Sequence, residues 1–226
     1  MHRQQRNTEN ALLLCEALDV TWLCHIDCDE LLYPLTSSAS IWNADADHIS
    51  IPNHEVCPIW KSLNPFVDCT YFKLNRRMKF KFYENGKPAV RWSRSARPWG
   101  PHLFTGYAGR HVESQTAVIL HYACATFEQW LAKYHRLGQF SDYWYDDPTL
   151  PIQLPFHLES RNVVRECADA GDMRAAFDLF KRELLTDSEL CTLISEGKVA
   201  QFAPLKSMEN KISETEPRYQ NRWAPK

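Results

Sequence analysis

The chain has 226 residues, enough for one sizeable hydrophobic core, and its 44% apolar and 24% charged residues are a globular balance rather than a disordered one. A formal net charge of −2 excludes a protein that coats nucleic acid through overall basicity. The charge is nevertheless uneven: nine basic residues and a single acid, Glu84, lie between Lys73 and Arg97, so this segment either faces a phosphorylated ligand or is solvated.

The opening MHRQQRNTEN is polar, and the ALLLC that follows is too short for a cleavable hydrophobic leader. No window approaches the roughly 20 apolar residues needed to span a membrane, and localisation stays open. Apolar positions from Ala11 to Leu18 recur at helical spacing, with Asn7 or Thr8 available as a cap. TWLCHI predicts an interior strand over 21–26, and a helix feeding an apolar strand points to an α/β layer. Further β-prone pieces are DHISI before Pro52, VDCTYFKL at 67–74, MKFKFYE at 78–84, PAVRW at 88–92 and TAVILHY at 116–122. MKFKFYE alternates and is followed by Asn85-Gly86, which predicts a hairpin of 78–84 with 88–92. Thr126 and Gln129 form a capping box for FEQWLAKYHRL, with Gly138 as the C-cap. The Pro-containing stretch 142–155 is irregular, and three helical segments follow between about 160 and 197. The expected organisation is a main domain over 1–150, a helical extension over 151–208 and a polar tail over 209–226.

Eight cysteines are spread along the chain without a CxxC pair, so buried reduced thiols are expected rather than structural zinc, although an even number permits disulfides in an oxidising compartment. The chemistry concentrates at HIDCDE. If the backbone stays extended, Asp27 and Asp29 send both carboxylates to one side. Two such carboxylates repel unless a cation lies between them or one is protonated. Oxygen ligands of this kind suit Mg²⁺ or Mn²⁺, which keep positions for water and substrate phosphates. In open α/β sheets, ligands collect beyond the carboxyl ends of the strands, where this turn would lie.

Four segments in order resemble a nucleotide-sugar glycosyltransferase of the family 2 and family 92 type: WLCHIDCDELLYP at 22–34, NGKPAVR at 85–91, PHLF at 101–104, and HYACATFEQWLAKYHRLG at 121–138. Leu31 stands where the family usually has an aromatic residue. The resemblance implies an α/β fold of the GT-A nucleotide-diphospho-sugar transferase type with a small helical C-terminal appendage. It implies Mn²⁺ or Mg²⁺ at a DxD motif, a nucleotide-sugar donor, and a glycan, lipid or protein acceptor. By the same resemblance Asp27 faces the sugar nucleotide, Asp29 holds the metal together with Asp27, and a downstream histidine completes the set; His102 is favoured over His121. Only 26 residues precede Asp27, where the family places a base-binding strand and helix. The expectation is therefore an N-terminally truncated form with an exposed sheet edge open to self-association.

Lys87 and Arg91, inside the family-like segment, are the candidate cations for a leaving diphosphate. Glu55, an acid among strand-like residues, is the candidate general base. Two other readings stay open: a non-catalytic scaffold or polyanion-binding module built on 73–97, and a metal-dependent phosphohydrolase. The latter would want a DxDx[TV] arrangement, whereas Glu30 and Leu31 follow here.

Overall fold

The computed structural model describes residues 2–36, 39–42, 45–139 and 155–205. Helix α1 (His2–Ala17) feeds strand β1 (Trp22–Cys24), and past the acidic turn come strand β2 (Glu30–Pro34), the short helix α2 (Ala39–Trp42), and strands β3 (His48–Ile51) and β4 (Asn53–Val56). Helix α3 (Pro65–Asp68), β5 (Tyr71–Lys73), β6 (Lys87–Arg91), β7 (Arg97–Pro98), β8 (Phe104–Thr105), β9 (His111–Glu113) and β10 (Ala117–His121) follow. The C-terminal part holds helices α4 (Phe127–Gly138), α5 (Pro155–Ala170), α6 (Arg174–Lys181) and α7 (Asp187–Ser195), then strand β11 (Val199–Gln201).

Two main sheets result, one ordered β1-β6-β3-β9 and the other β11-β5-β4-β10-β2, with β7 and β8 as a separate pair. Both are mixed: β10 runs parallel to β4 and antiparallel to β2, while β3 runs parallel to β9 and antiparallel to β6. The run Ala117–Leu120 is apolar without a break because both of its faces are buried. Ala117 and Ile119 join Ile49, Ile51 and Ala89 in a core that draws on strands of both sheets. Val118 and Leu120 point the other way, onto Val56, Phe72 and Tyr122. On β6 the same alternation sends Ala89 into the first core and Val90 against Leu12 of α1 and Phe104. A third apolar cluster, centred on Trp130, Tyr134, Val164, Leu179 and Phe180, ties α4 to α5 and α6. This is a mixed α/β domain with flanking helices and a C-terminal helical region, broadly consistent with a Rossmann-like arrangement of the GT-A type.

Several expectations are corrected. The strand predicted over 21–26 covers 22–24, and among the described residues it pairs along one edge only, with β6. The expected hairpin does not form, because β1 and β3 already occupy both edges of β6. Residues 78–84 instead run as irregular chain bonded to carboxylates. The Lys81 and Phe82 amides donate to Glu55 Oε2 at 3.1 and 3.2 Å, and the Phe80 amide donates to Glu84 Oε1 at 2.8 Å. Of the strand predicted at 67–74, only Tyr71–Lys73 is extended, since Pro65 starts a helical turn that runs through Asp68. Thr126 caps α4 as expected, but Gly138 is still helical and Gln139 is the C-cap. Most of the 142–155 stretch and all of the 209–226 tail lie outside the described residues. No described helix is long and apolar enough to cross a membrane.

Candidate metal centre

After β1 the chain does not stay extended. The Glu30 amide donates to the Asp27 carbonyl at 3.2 Å, closing a turn over Cys28 and Asp29, while Glu30 Oε2 accepts the Asp27 amide at 2.6 Å. Glu30 then opens β2 directly opposite His121, the last residue of β10. Directly opposed residues of an antiparallel pair send their side chains to the same face. The Tyr122 amide donates to the Asp29 carbonyl at 2.8 Å and fixes the turn against the end of β10. Asp29, Glu30 and His121 thereby bring one potential ligand atom each within 4.8 Å of one another.

The charges around this cluster are balanced from within. Glu30 is buried, which pushes its carboxyl pKa up, while the Lys87 ammonium and a hydrogen bond from the Tyr83 hydroxyl work in the opposite direction. Lys87 has no exposed side-chain surface. Its Nζ lies 2.5 Å from Asp27 Oδ2, 3.4 Å from Glu30 Oε1 and 5.0 Å from the centre of the Tyr83 ring. His121 is also buried, and burial followed by the nearby Lys133 charge drives its pKa well below the ordinary histidine value. It is therefore a neutral imidazole at neutral pH, with an available lone pair. Its Nδ1 is buried without a hydrogen-bond partner, and its Nε2 stands 3.8 Å from Asp29 Oδ2. Tyr83 and Phe82 hold the ring at centroid distances of 4.8 and 5.5 Å. Two carboxylates and a neutral imidazole that carries an unsatisfied buried nitrogen form a three-residue donor set that fits a divalent cation.

The expected site residues are distributed differently. Asp29 belongs to the cluster. Asp27 does not, because its carboxylate is taken by Lys87 and by Gln4 Nε2 at 2.9 Å, a consequence of the turn. His102 packs tilted against the Tyr83 ring at 4.5 Å, with its Nδ1 2.8 Å from the Gly86 carbonyl; it borders the site while His121 enters it. Lys87 reaches the acidic turn, but Arg91, at the other end of β6, lies over Trp22 and bonds the Ala46 carbonyl. Glu55 is buried, with one oxygen 3.2 Å from Lys73 Nζ and the other accepting the two amides of the 81–82 segment. It is thus the counter-ion of Lys73 on β5 and the acceptor that anchors the 81–82 segment. Glu30 lies in the same HIDCDE motif, but its place in the cluster depends on pairing with a distant strand.

The acidic turn separates two clefts that both include Cys28 and Asp29. One, of about 560 Å³, lies beneath α1 and is lined by Gln4, Asn7, Thr8 and His25. The other, of about 380 Å³, lies beneath α4 and is lined by Gln129, Lys133 and Arg136.

The chain is similar to two glycosyltransferase-like proteins of Arabidopsis thaliana. One is 26% identical over 165 residues, covering 60% of this chain and 32% of the relative; the other is 27% identical over 165 residues, covering 60% and 37%. The chain thus spans about a third of the length of these curated relatives. No protein-family model matches it. No solved structure matches it either.

Proposed function

We propose that the chain forms the metal- and donor-binding part of a glycosyltransferase that moves a sugar from a nucleotide-sugar donor to a hydroxyl acceptor. The observation that carries this reading is the Asp29–Glu30–His121 cluster at the acidic turn, in a chain distantly similar to glycosyltransferase-like proteins. Asp29 and His121 would supply the direct contacts, and Glu30, held by the Asp27 amide and Tyr83, would supply a pre-oriented oxygen. A bound divalent cation would anchor the donor diphosphate and offset the charge that builds up as it leaves. An imidazole in the set favours Mn²⁺ over Mg²⁺, which prefers an all-oxygen shell. Lys87 holds Asp27 and Glu30 in place as their internal cation, so that the two acids can sit side by side. Against a polyanion-binding module, six of the nine cations of the basic segment are already committed to acids: Lys73 to Glu55, Arg76 to Glu113, Lys81 to Glu183, Lys87 to Asp27, Arg91 to Asp47 and Arg94 to Glu16.

Calorimetric titration of UDP and GDP, with Mn²⁺ and with chelator, tests the proposal on wild type and on Asp29→Ala. Mn²⁺-dependent binding by the wild type that disappears in the variant is expected. Binding of equal strength in all four conditions would overturn it.

A further inference from the structure

We infer that Lys133 and Arg136 of α4 are the diphosphate-binding cations of this site, clamping the anion from the side opposite Asp29. This rests on the metal-centre reading above, but it is carried by a different element and by different observations. Lys133 and Arg136 are three residues apart, so they lie on one side of the helix. Both line the cleft of about 380 Å³ whose other wall includes Cys28 and Asp29. Among the described residues neither meets an acid within ion-pair distance, in contrast to the six committed cations of the 73–97 segment. Arg97 is exposed and donates to the carbonyls of Arg94 and Ala96.

Lys133 is partly buried, and its Nζ lies 4.5 Å from the centre of the Phe82 ring, which also packs edge-on against His121. Among the described residues its ammonium is thus held next to the cluster by an aromatic face rather than by a carboxylate, so its N–H donors can turn to a ligand. Arg136 is exposed nearer the mouth of the same cleft and adds a planar fork suited to phosphate oxygens.

The second cleft cannot take this role. Beneath α1 the wall is formed by amide, hydroxyl, thiol and apolar groups together with Asp27 and Asp29, and its one basic group, His25, is kept neutral by burial. A dianion there would face two carboxylates with no cation in the lining. The α4 cleft offers two cations against one carboxylate, and that carboxylate belongs to the cation-binding cluster. A diphosphate bridging the cluster and Lys133 would satisfy both sides. A sugar or nucleoside, which needs hydrogen bonds rather than charge, suits the α1 side. Lys87 and Arg91 are thereby replaced as the diphosphate partners.

The test uses inorganic pyrophosphate as probe and phenyl phosphate as a monoester control, titrated with and without Mn²⁺ into wild type, Lys133→Met, Arg136→Ala and the conservative Lys133→Arg. Mn²⁺ alone is titrated into each protein, and thermal melting checks the fold. The expected result is Mn²⁺-dependent pyrophosphate binding that weakens more than about tenfold in Lys133→Met, weakens less in Arg136→Ala and returns in Lys133→Arg, with Mn²⁺ affinity kept. Pyrophosphate affinity within about twofold of wild type in Lys133→Met and Arg136→Ala would overturn the inference while leaving the metal centre standing. Preference for the monoester, or no pyrophosphate binding by wild type, would also overturn it. If Mn²⁺ fails to bind but pyrophosphate binding still depends on Lys133, the metal reading falls and the cationic clamp stands.

Discussion

Glu30 and His121 stand opposite each other in the pairing of β2 with β10, one opening its strand and the other closing its own. That register, rather than the spacing of Asp27 and Asp29, brings a carboxylate and an imidazole to the same end of the sheet. It also explains the direction of their pKa shifts, since both groups are taken out of water where β2 meets β10.

Replacing His121 by Phe separates binding from folding. The ring would keep its contacts with Tyr83 and Phe82, and a buried nitrogen without a partner would be removed. Thermal stability should stay level or rise. Mn²⁺ affinity measured by calorimetry should fall by more than about tenfold, because even the outer partners of metal ligands are worth that much. Unchanged Mn²⁺ affinity would remove His121 from the donor set.

Gly86 should tolerate no side chain. Its φ is +68°, and an added Cβ would collide with the Ile51 carbonyl oxygen, a backbone atom that cannot move aside. The same residue donates its amide to Asn53 Oδ1 at 3.2 Å and accepts from the His102 ring, so it sets the start of β6 and the position of Lys87. Gly86→Ala should cost more than about 2 kcal/mol in urea unfolding, since the left-handed backbone alone costs roughly 1–2 kcal/mol. A loss below about 0.5 kcal/mol would mean that the turn can rearrange.

Legibility followed the range of the interactions. The apolar run of β10, the strand at 48–51, the start of β6 and the Thr126 cap were readable, because burial on both faces and a three-residue cap leave local patterns. The segment 78–84 alternates as a strand would, yet it found no free edge, and Glu55 and Glu84 took its amides instead. β11 gave no signal because its partner β5 lies far away in the sequence, before the C-terminal helices. HIDCDE contains two of the three residues that cluster, Asp29 and Glu30. The placement of the side chains could not be read, since the turn that diverts Asp27 to Lys87 and the strand that brings in His121 are tertiary features.

His48 should make the protein acid-sensitive over a defined window. It is fully buried, both ring nitrogens lack hydrogen-bond partners, and it lies flat against Tyr107 at 4.8 Å and beside His111 at 4.6 Å. Burial first, and the neighbouring His111 second, lower its pKa to about 4. The unfolded chain takes up the proton near pH 6.5 and the folded chain only near 4, so stability present above pH 6.5 is lost as pH falls between these values and then levels off. His48→Phe keeps the ring contacts without the proton. The difference in unfolding free energy between wild type and variant should shift in the variant's favour by roughly 2–3 kcal/mol from pH 7.5 to 4.5. A pH-independent difference would show that the imidazole is protonated or solvated in the native state.

Lys87→Met tests the internal cation of the acidic turn. Methionine fills a similar apolar volume but leaves Asp27 half-exposed and Glu30 buried without the ammonium between them. Breaking a buried pair from one side typically costs about 3–5 kcal/mol, because the remaining charge is stranded in a poor dielectric. The sign with pH follows from Glu30. Burial already holds its carboxyl pKa above the ordinary value, and Lys87 is the largest influence pulling it back down, so removing Lys87 should raise it further. A folded-state carboxyl with a raised pKa takes up a proton before the unfolded chain does. Stability of the variant relative to wild type should therefore improve as pH falls from 8 towards 5, the reverse of the His48 effect. Urea unfolding of both proteins across that range, with Glu30→Gln/Lys87→Met as control, gives the measurement. The double variant should recover part of the loss at pH 8 and lose most of the pH dependence. A single variant as stable as wild type at pH 8 would mean that Glu30 is already protonated in the wild type, and that Lys87 is not what keeps it ionised.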